Sequence, residues 1–203
     1  MKRLGVLFLV YAIALSSGNI MAQKLKSGDL KVLKGQSVLN IQYDYSQMKV
    51  GKKSADDYVA DGIAERNKKK AGSGDEWAAK WNSDKSERFQ PTFEKNFNDK
   101  TSVAGTTVKD GAADAKFTLI VRVTFFEPGF QSGVGVSKAA SLNMSIDVVE
   151  TAAPATVLAK VEYNKIPSKN MWGYDFDAGA RVQSCFDRAG DDFGKFFYKN
   201  GLK

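Results

Sequence analysis

The sequence reads as an α/β (α+β) domain with a single antiparallel or mixed sheet, helices packed on one face, and the order strand, helices, strands, terminal helix. Three observations lead there. Apolar residues alternate with polar ones near residue 40 and again between residues 117 and 163, the period of half-buried strands. Between these regions, and again near residue 190, they recur at helical spacing. No internal repeat or long linker divides the chain, and 203 residues with 43% apolar composition can bury one core.

Residues 1–22 place Lys2 and Arg3 before an apolar run, followed by small and polar residues up to Ala22. This is the pattern of a secretory signal peptide, and the run is shorter than the ~20 residues a spanning helix needs. Cleavage after Ala22 and export are expected, to the periplasm or outside the cell. The mature chain is expected to be soluble, with no transmembrane segment. No cysteine stands near the cleavage point to take a lipid.

Residues 23–35, rich in Lys, Gly and Ser, form a flexible lead-in or add a short strand, and residues 36–203 form the single domain. In VLNIQYDYS, Leu39, Ile41, Tyr43 and Tyr45 alternate with polar residues, which predicts a strand. From Ser54 the period changes. Ala55, Tyr58, Val59, Gly62, Ile63 and Arg66 share a helix face, with Asp56 and Asp57 at its start, where they complement the dipole. AGSGDE is a break with Asp75 as cap. Trp77, Trp81, Phe89, Phe93 and Phe97 then mark two helices or one bent helix, with Pro91 admissible only at the start of the second piece.

A short strand is expected over residues 103–108. KFTLIVRVTFF is the strongest strand, with Phe117, Leu119, Val121, Val123 and Phe125 on one face and Phe126 on the other. Leu142, Met144, Ile146 and Val148 mark the next, and Val157, Ala159, Val161 and Tyr163 the one after, giving an antiparallel meander. Between the first two, Gly129, Gly133 and Gly135 punctuate an excursion. A phosphate loop would lead into a helix and pair a lysine with Ser or Thr, whereas Lys138 is followed by Ala139 and a strand. The excursion is therefore read as a hairpin tip and, from its length, as a contact surface. The terminal helix spans residues 177–199 with Asp177 as cap. Cys185 lies on its apolar stripe, a buried inert thiol.

Composition removes much chemistry. With no histidine and one cysteine, histidine-based nucleophilic sites, ordinary zinc centres and internal disulfides are excluded. The net charge of +7 is spread over scattered lysines and short clusters such as Lys68, Lys69 and Lys70, so no nucleic-acid partner is expected. No metal or cofactor is expected either. Carboxylate chemistry stays open, with Asp56, Asp57, Asp61, Asp147, Asp175 and Asp177 as the acids to weigh.

The motifs TFFEPG, LNMSIDVVETAA and TVLAKVEY, followed by the amphipathic terminal helix, resemble a family of bacterial envelope proteins of unknown function. In topology that family is similar to the curli-pore lipoprotein, the lipoprotein activators of penicillin-binding proteins and the periplasmic N-terminal domain of the Tol-Pal system. Many of those proteins are lipid-anchored at an N-terminal cysteine, which this chain lacks. The resemblance implies an adaptor or assembly role and transfers no catalytic residue. The expected function is thus an exported, non-enzymatic binding module engaging an envelope protein or cell-wall polymer. Its candidate anchors are the loop-flanking aromatics Trp77, Trp81, Trp172 and Tyr174. The alternatives are a carboxylate-based hydrolase of glycan or wall polymer, and a carrier of a small apolar ligand lined by phenylalanines.

Overall fold

The computed structural model describes residues 23–131, 135, 137–169 and 178–203; Trp172, Tyr174, Asp175, Asp177, Gly133 and the signal segment lie outside them. The strands of the main sheet are β1 (Lys24–Gly28), β2 (Val38–Asp44), β3 (Lys49–Val50), β4 (Lys53–Ser54), β5 (Thr107–Asp110), β6 (Phe117–Glu127), β9 (Ser141–Glu150) and β10 (Ala153–Pro167). β7 (Phe130–Gln131) and β8 (Ser137–Lys138) form a small separate hairpin inside the excursion. The helices are α1 (Ala55–Lys69), α2 (Ser73–Asp84), α3 (Gln90–Thr101) and α4 (Ala178–Phe197).

The eight-stranded sheet is mixed, in the order β1-β10-β9-β6-β2-β5. β6, β9 and β10 form the anticipated antiparallel meander, while β2 runs parallel to both β5 and β6. Leu119, Val121, Val123, Ile146, Met144 and Leu142 share the face that receives the helices. A register shift after Val123 changes the expected alternation at the end of β6. The bulge turns Phe126 into the core at 3% exposure and leaves Phe125 half-buried, the reverse of the strict period-two reading.

The lead-in is ordered. β1 pairs with β10, and a 3-10 turn at Leu30–Leu33 buries Leu30 and Leu33 completely, with Asp29 capping it by accepting from the Lys31 amide at 2.9 Å. Leu30 and Leu33 are core residues, and the short strand among the two alternatives for this segment is β1. α1 begins as read, with the Ser54 Oγ accepting from the Asp57 amide at 3.1 Å. α2 differs. It starts at Ser73 rather than at a cap on Asp75, because the Asn67 side chain reaches from α1 to accept the Gly74 amide at 2.8 Å.

α2 and α3 are one bent helix joined by a π turn at Lys85–Phe89, in which the Gln90 amide donates to the Lys85 carbonyl. Pro91 stands directly after it; lacking an amide and crowding the preceding turn, proline is tolerated where the ladder is already widened. The helix then runs to Thr101, so the strand expected over residues 103–108 starts only at Thr107 and leaves Val103 73% exposed. Asn98 on α3 seals the outer edge of β5, donating to the Val108 carbonyl (3.0 Å) and accepting the Val108 amide (2.7 Å). A side-chain amide thus stands where another strand would pair.

Packing between α3 and α4 is close because Gly190 and Gly194 recur four residues apart. A Cβ on Gly190 would lie 2.4 Å from the Phe93 carbonyl oxygen, and one on Gly194 2.8 Å from that of Phe97. The approach lets rings meet across the interface, Phe89 stacked on Phe186 at 5.2 Å and Phe97 edge-on to Phe197 at 5.4 Å, beneath Tyr43 and Tyr163 of the sheet. Phe89, Phe93 and Phe97 are core residues as read, and Cys185 is a buried thiol that donates to the Arg181 carbonyl.

Candidate functional site

Four aromatic side chains meet where β6 ends. Trp77 and Trp81 stand one turn apart on α2 and stack at 6.0 Å, and Tyr58 of α1 meets them at 5.8 and 5.2 Å. Trp81 in turn lies edge-on to Phe126 at 5.7 Å, which ties the α1–α2 hairpin to the sheet. Gly62 makes room for this arrangement: a Cβ there would sit 2.3 Å from the Trp77 ring. Arg66, one turn further along α1, places its guanidinium 4.1 Å from the centre of the Trp77 ring and donates to the Gly62 carbonyl.

Tyr58, Trp77 and Trp81 are all half-buried, so each shows part of a ring to solvent while the rest is held by neighbours. Burial above all raises the Tyr58 hydroxyl pKa, with the Arg66 and Arg181 charges opposing and Glu127 reinforcing. The phenol therefore stays a neutral donor. Beside it the excursion leaves the sheet under two restraints. Arg181 in the first turn of α4 donates to the Pro128 carbonyl (2.9 Å) and the Gly129 carbonyl (3.2 Å), and Glu127 accepts from the Gly129 amide and pairs with Lys138. Phe130 at the base of the small hairpin is 48% exposed. Aromatic area, a guanidinium and an ion pair thus meet at one end of the molecule.

Trp77 and Trp81 belong to this cluster, but as packed residues with exposed edges rather than free loop anchors. Tyr58, Arg66 and Phe130 were not singled out from the sequence. The helical spacing of Tyr58, Gly62 and Arg66 was visible there, but their contact with Trp77 depends on the hairpin that brings α1 onto α2.

Asp175 and Asp177 lie outside the described residues; the other carboxylates considered for hydrolysis have structural partners or positions of their own. Asp56 and Asp57 occupy the first turn of α1, where Asp57 also accepts from the Ser54 hydroxyl, and Asp61 pairs with Lys53. Asp147 sits on β9, on the sheet face opposite the core, at 3% exposure, held by Arg122 at 2.8 Å and Lys160 at 3.1 Å. Arg122 bridges onward to Asp44, and Lys26 pairs with Glu162 further along the same face. Charges of alternating sign therefore cross the sheet from β2 to β1. The hydrogen bond from Arg122 to Asp147 is the chief cause of the raised Arg122 pKa. Asp147 is thereby a structural counter-ion. Its signal was an acid on the alternate face of the strand, the face that also carries Asn143 and Ser145, matched by Arg122 on the neighbouring one.

Near β5, the Tyr43 hydroxyl donates to the Gln90 carbonyl and to Glu94, each at 3.3 Å. Burial chiefly raises the Glu94 pKa, and it raises that of Tyr43 as well. Two open concavities of about 520 and 670 Å³ lie at the other end of β6; they share the loop at residues 113–116 and are edged by Glu150 and Lys109. Both are surface grooves, away from the phenylalanine layer proposed to hold an apolar ligand. Among the described residues no group of three or more acids, histidines or cysteines is placed to hold a metal ion, and no helix is long and apolar enough to cross a membrane.

No family model and no curated protein matches the chain. Among solved structures it is similar to the PelC dodecamer from Paraburkholderia phytofirmans, with 9% identity over 82% of this chain and 97% of that one, at a TM-score of 0.37. It is likewise similar to a Xanthomonas campestris protein of the domain-of-unknown-function family DUF330, with 11% identity, 87% and 92% coverage and a TM-score of 0.36. Likeness at this level carries no functional argument. The likeness to the curli-pore, penicillin-binding-protein activator and Tol-Pal domains stays an expectation drawn from topology, and neither of these two solved structures is one of them.

Proposed function

We propose that this chain is an exported, non-enzymatic binding or adaptor module of the bacterial cell envelope, and that it engages its partner through the aromatic end of the sheet. The observation that carries the reading is the half-buried cluster of Tyr58, Trp77 and Trp81, with Arg66 stacked on Trp77 and Phe130 exposed nearby. Rigid aromatics flanked by arginine offer large contact area at little entropic cost, the composition of interface hot spots. Support for export comes from residues 1–22. Among the described candidates, Asp57, Asp61 and Asp147 are engaged by Ser54, Lys53 and the Arg122–Lys160 pair, which favours a non-enzymatic role over carboxylate-based hydrolysis.

The test is a photo-crosslinking residue placed at Tyr58 or at Arg66 in the native host, with Val103 on the far side of α3 as the control position. A discrete envelope protein or wall fragment captured from the first two positions and not from the control supports the reading. Equal capture from all three, or release of soluble sugars from purified wall by the untagged chain, overturns it.

A further inference from the structure

The lead-in carries a second surface, independent of the aromatic end. Its sequence KLKSGDLKVLK alternates lysines with apolar residues, and the fold sorts these residues by burial. Leu30 and Leu33 enter the core, whereas Lys24, Lys31 and Lys34 stay exposed beside Leu25 at 38% and Val32 at 40% exposure. None of these three lysines takes part in an ion pair among the described residues. The acids nearest in the chain and the sheet are engaged: Asp29 caps the 3-10 turn, and Glu162 holds Lys26 at 3.2 Å.

The C-terminal turn adds to the same margin. Tyr198–Leu202 packs on Leu30–Leu33, with Gly201 so close that a Cβ would lie 2.6 Å from the Leu30 carbonyl oxygen. This brings exposed Lys199 and Lys203 to the same side of the molecule as Lys31 and Lys34. These five lysines have no ion-pair partner among the described residues, and two exposed aliphatic side chains stand between them.

We propose that this margin docks the protein on a lipid surface bearing anionic headgroups. Lysines interspersed with aliphatics suit such a surface, since each lysine gains from the negative surface potential while the apolar side chains enter the headgroup boundary. A nucleic-acid strand or a glycan would call for exposed stacking rings instead, and the margin presents none among its described residues. Contact of this kind is weak on its own and adds to any second attachment the chain makes.

The test uses the purified mature chain, beginning at Gln23, with vesicles of phosphatidylcholine alone and with about 30% phosphatidylglycerol, read by co-sedimentation at low and high salt. Anionic lipid is expected to raise partitioning roughly tenfold or more at low salt, and added salt to remove the gain. The triple exchange Lys24→Glu, Lys31→Glu, Lys34→Glu is expected to abolish that gain. The same exchange at Lys68, Lys69 and Lys70 is expected to leave it, and a milder Gln triple at the lead-in positions guards against loss of fold. No dependence on phosphatidylglycerol, or a loss that follows Lys68, Lys69 and Lys70 instead of the lead-in, overturns the proposal.

Discussion

At the scale of single residues, the sheet face opposite the core is held by charge, and the cost of losing a charge depends on its burial. Asp147→Ala removes the counter-ion of both Arg122 and Lys160, and is expected to lower stability by about 2–3 kcal/mol. Asp44→Ala, at a more open carboxylate, is expected to cost roughly 0.5–1 kcal/mol, and urea unfolding separates the two. Hydrogen bonds from Ser46, then the Arg122 charge, hold the Asp44 pKa below the usual carboxylate range. Its contribution is present above that range and lost as pH falls through the lowered value. Glu94 has the opposite sign, because burial raises its pKa. Its contribution is full below the ordinary carboxylate pKa and fades as pH rises through the raised one. Glu94→Gln is therefore expected to stabilise the protein at about pH 7 and not at about pH 3, as thermal melting at the two values would show. Ser54 as a cap was legible in the sequence, since its spacing to Asp57 is local. The partnership of Arg122 with Asp147 was not, since it depends on strand register.

At the scale of elements, closeness between helices decides more than helical propensity. Gly190→Ala would press a methyl group against the Phe93 carbonyl, and a loss of about 2–3 kcal/mol is expected, with Gly194→Ala smaller because its clearance is wider. An exchange at an exposed helix position such as Glu65→Ala on α1 serves as comparison; there the same measurement should shift little. The strands were legible wherever one face is buried, as in β6 and β9, because period two survives in the sequence. Legibility failed where geometry breaks the period. The bulge after Val123 exchanges Phe125 and Phe126, and Lys165 in β10 adopts a φ of 55° opposite Asn143, whose side chain accepts its amide at 2.7 Å. Lys165→Gly relieves that left-handed backbone and is expected to raise stability by about 0.5–1 kcal/mol, by urea unfolding. The π turn before Pro91 was half legible: the proline marked the place, but not that the helix would continue through it.

At the scale of the whole molecule, the two edges of the sheet are guarded differently, and the aromatic end stands apart from both. β5 is closed by Asn98, and β1 carries Lys24 and Lys26 along its length. Edge-to-edge strand addition is thus disfavoured, leaving side-chain surfaces as the means of association. The fold class was legible because alternation and helical spacing occupy separate stretches. The strand order was not, since β1 reaches β10 across most of the chain and β5 reaches β2 past the helices α1 to α3. The same holds for the candidate site, whose parts come from α1, α2 and β6 and meet only after folding. The most direct test of the binding account is hydrogen exchange on the purified protein, alone and with an envelope extract of its host. The account predicts slowed exchange over residues 55–81 and 126–131, with the loop at residues 111–116 unchanged. Protection confined to that loop and the grooves beside it, or none anywhere, would contradict it.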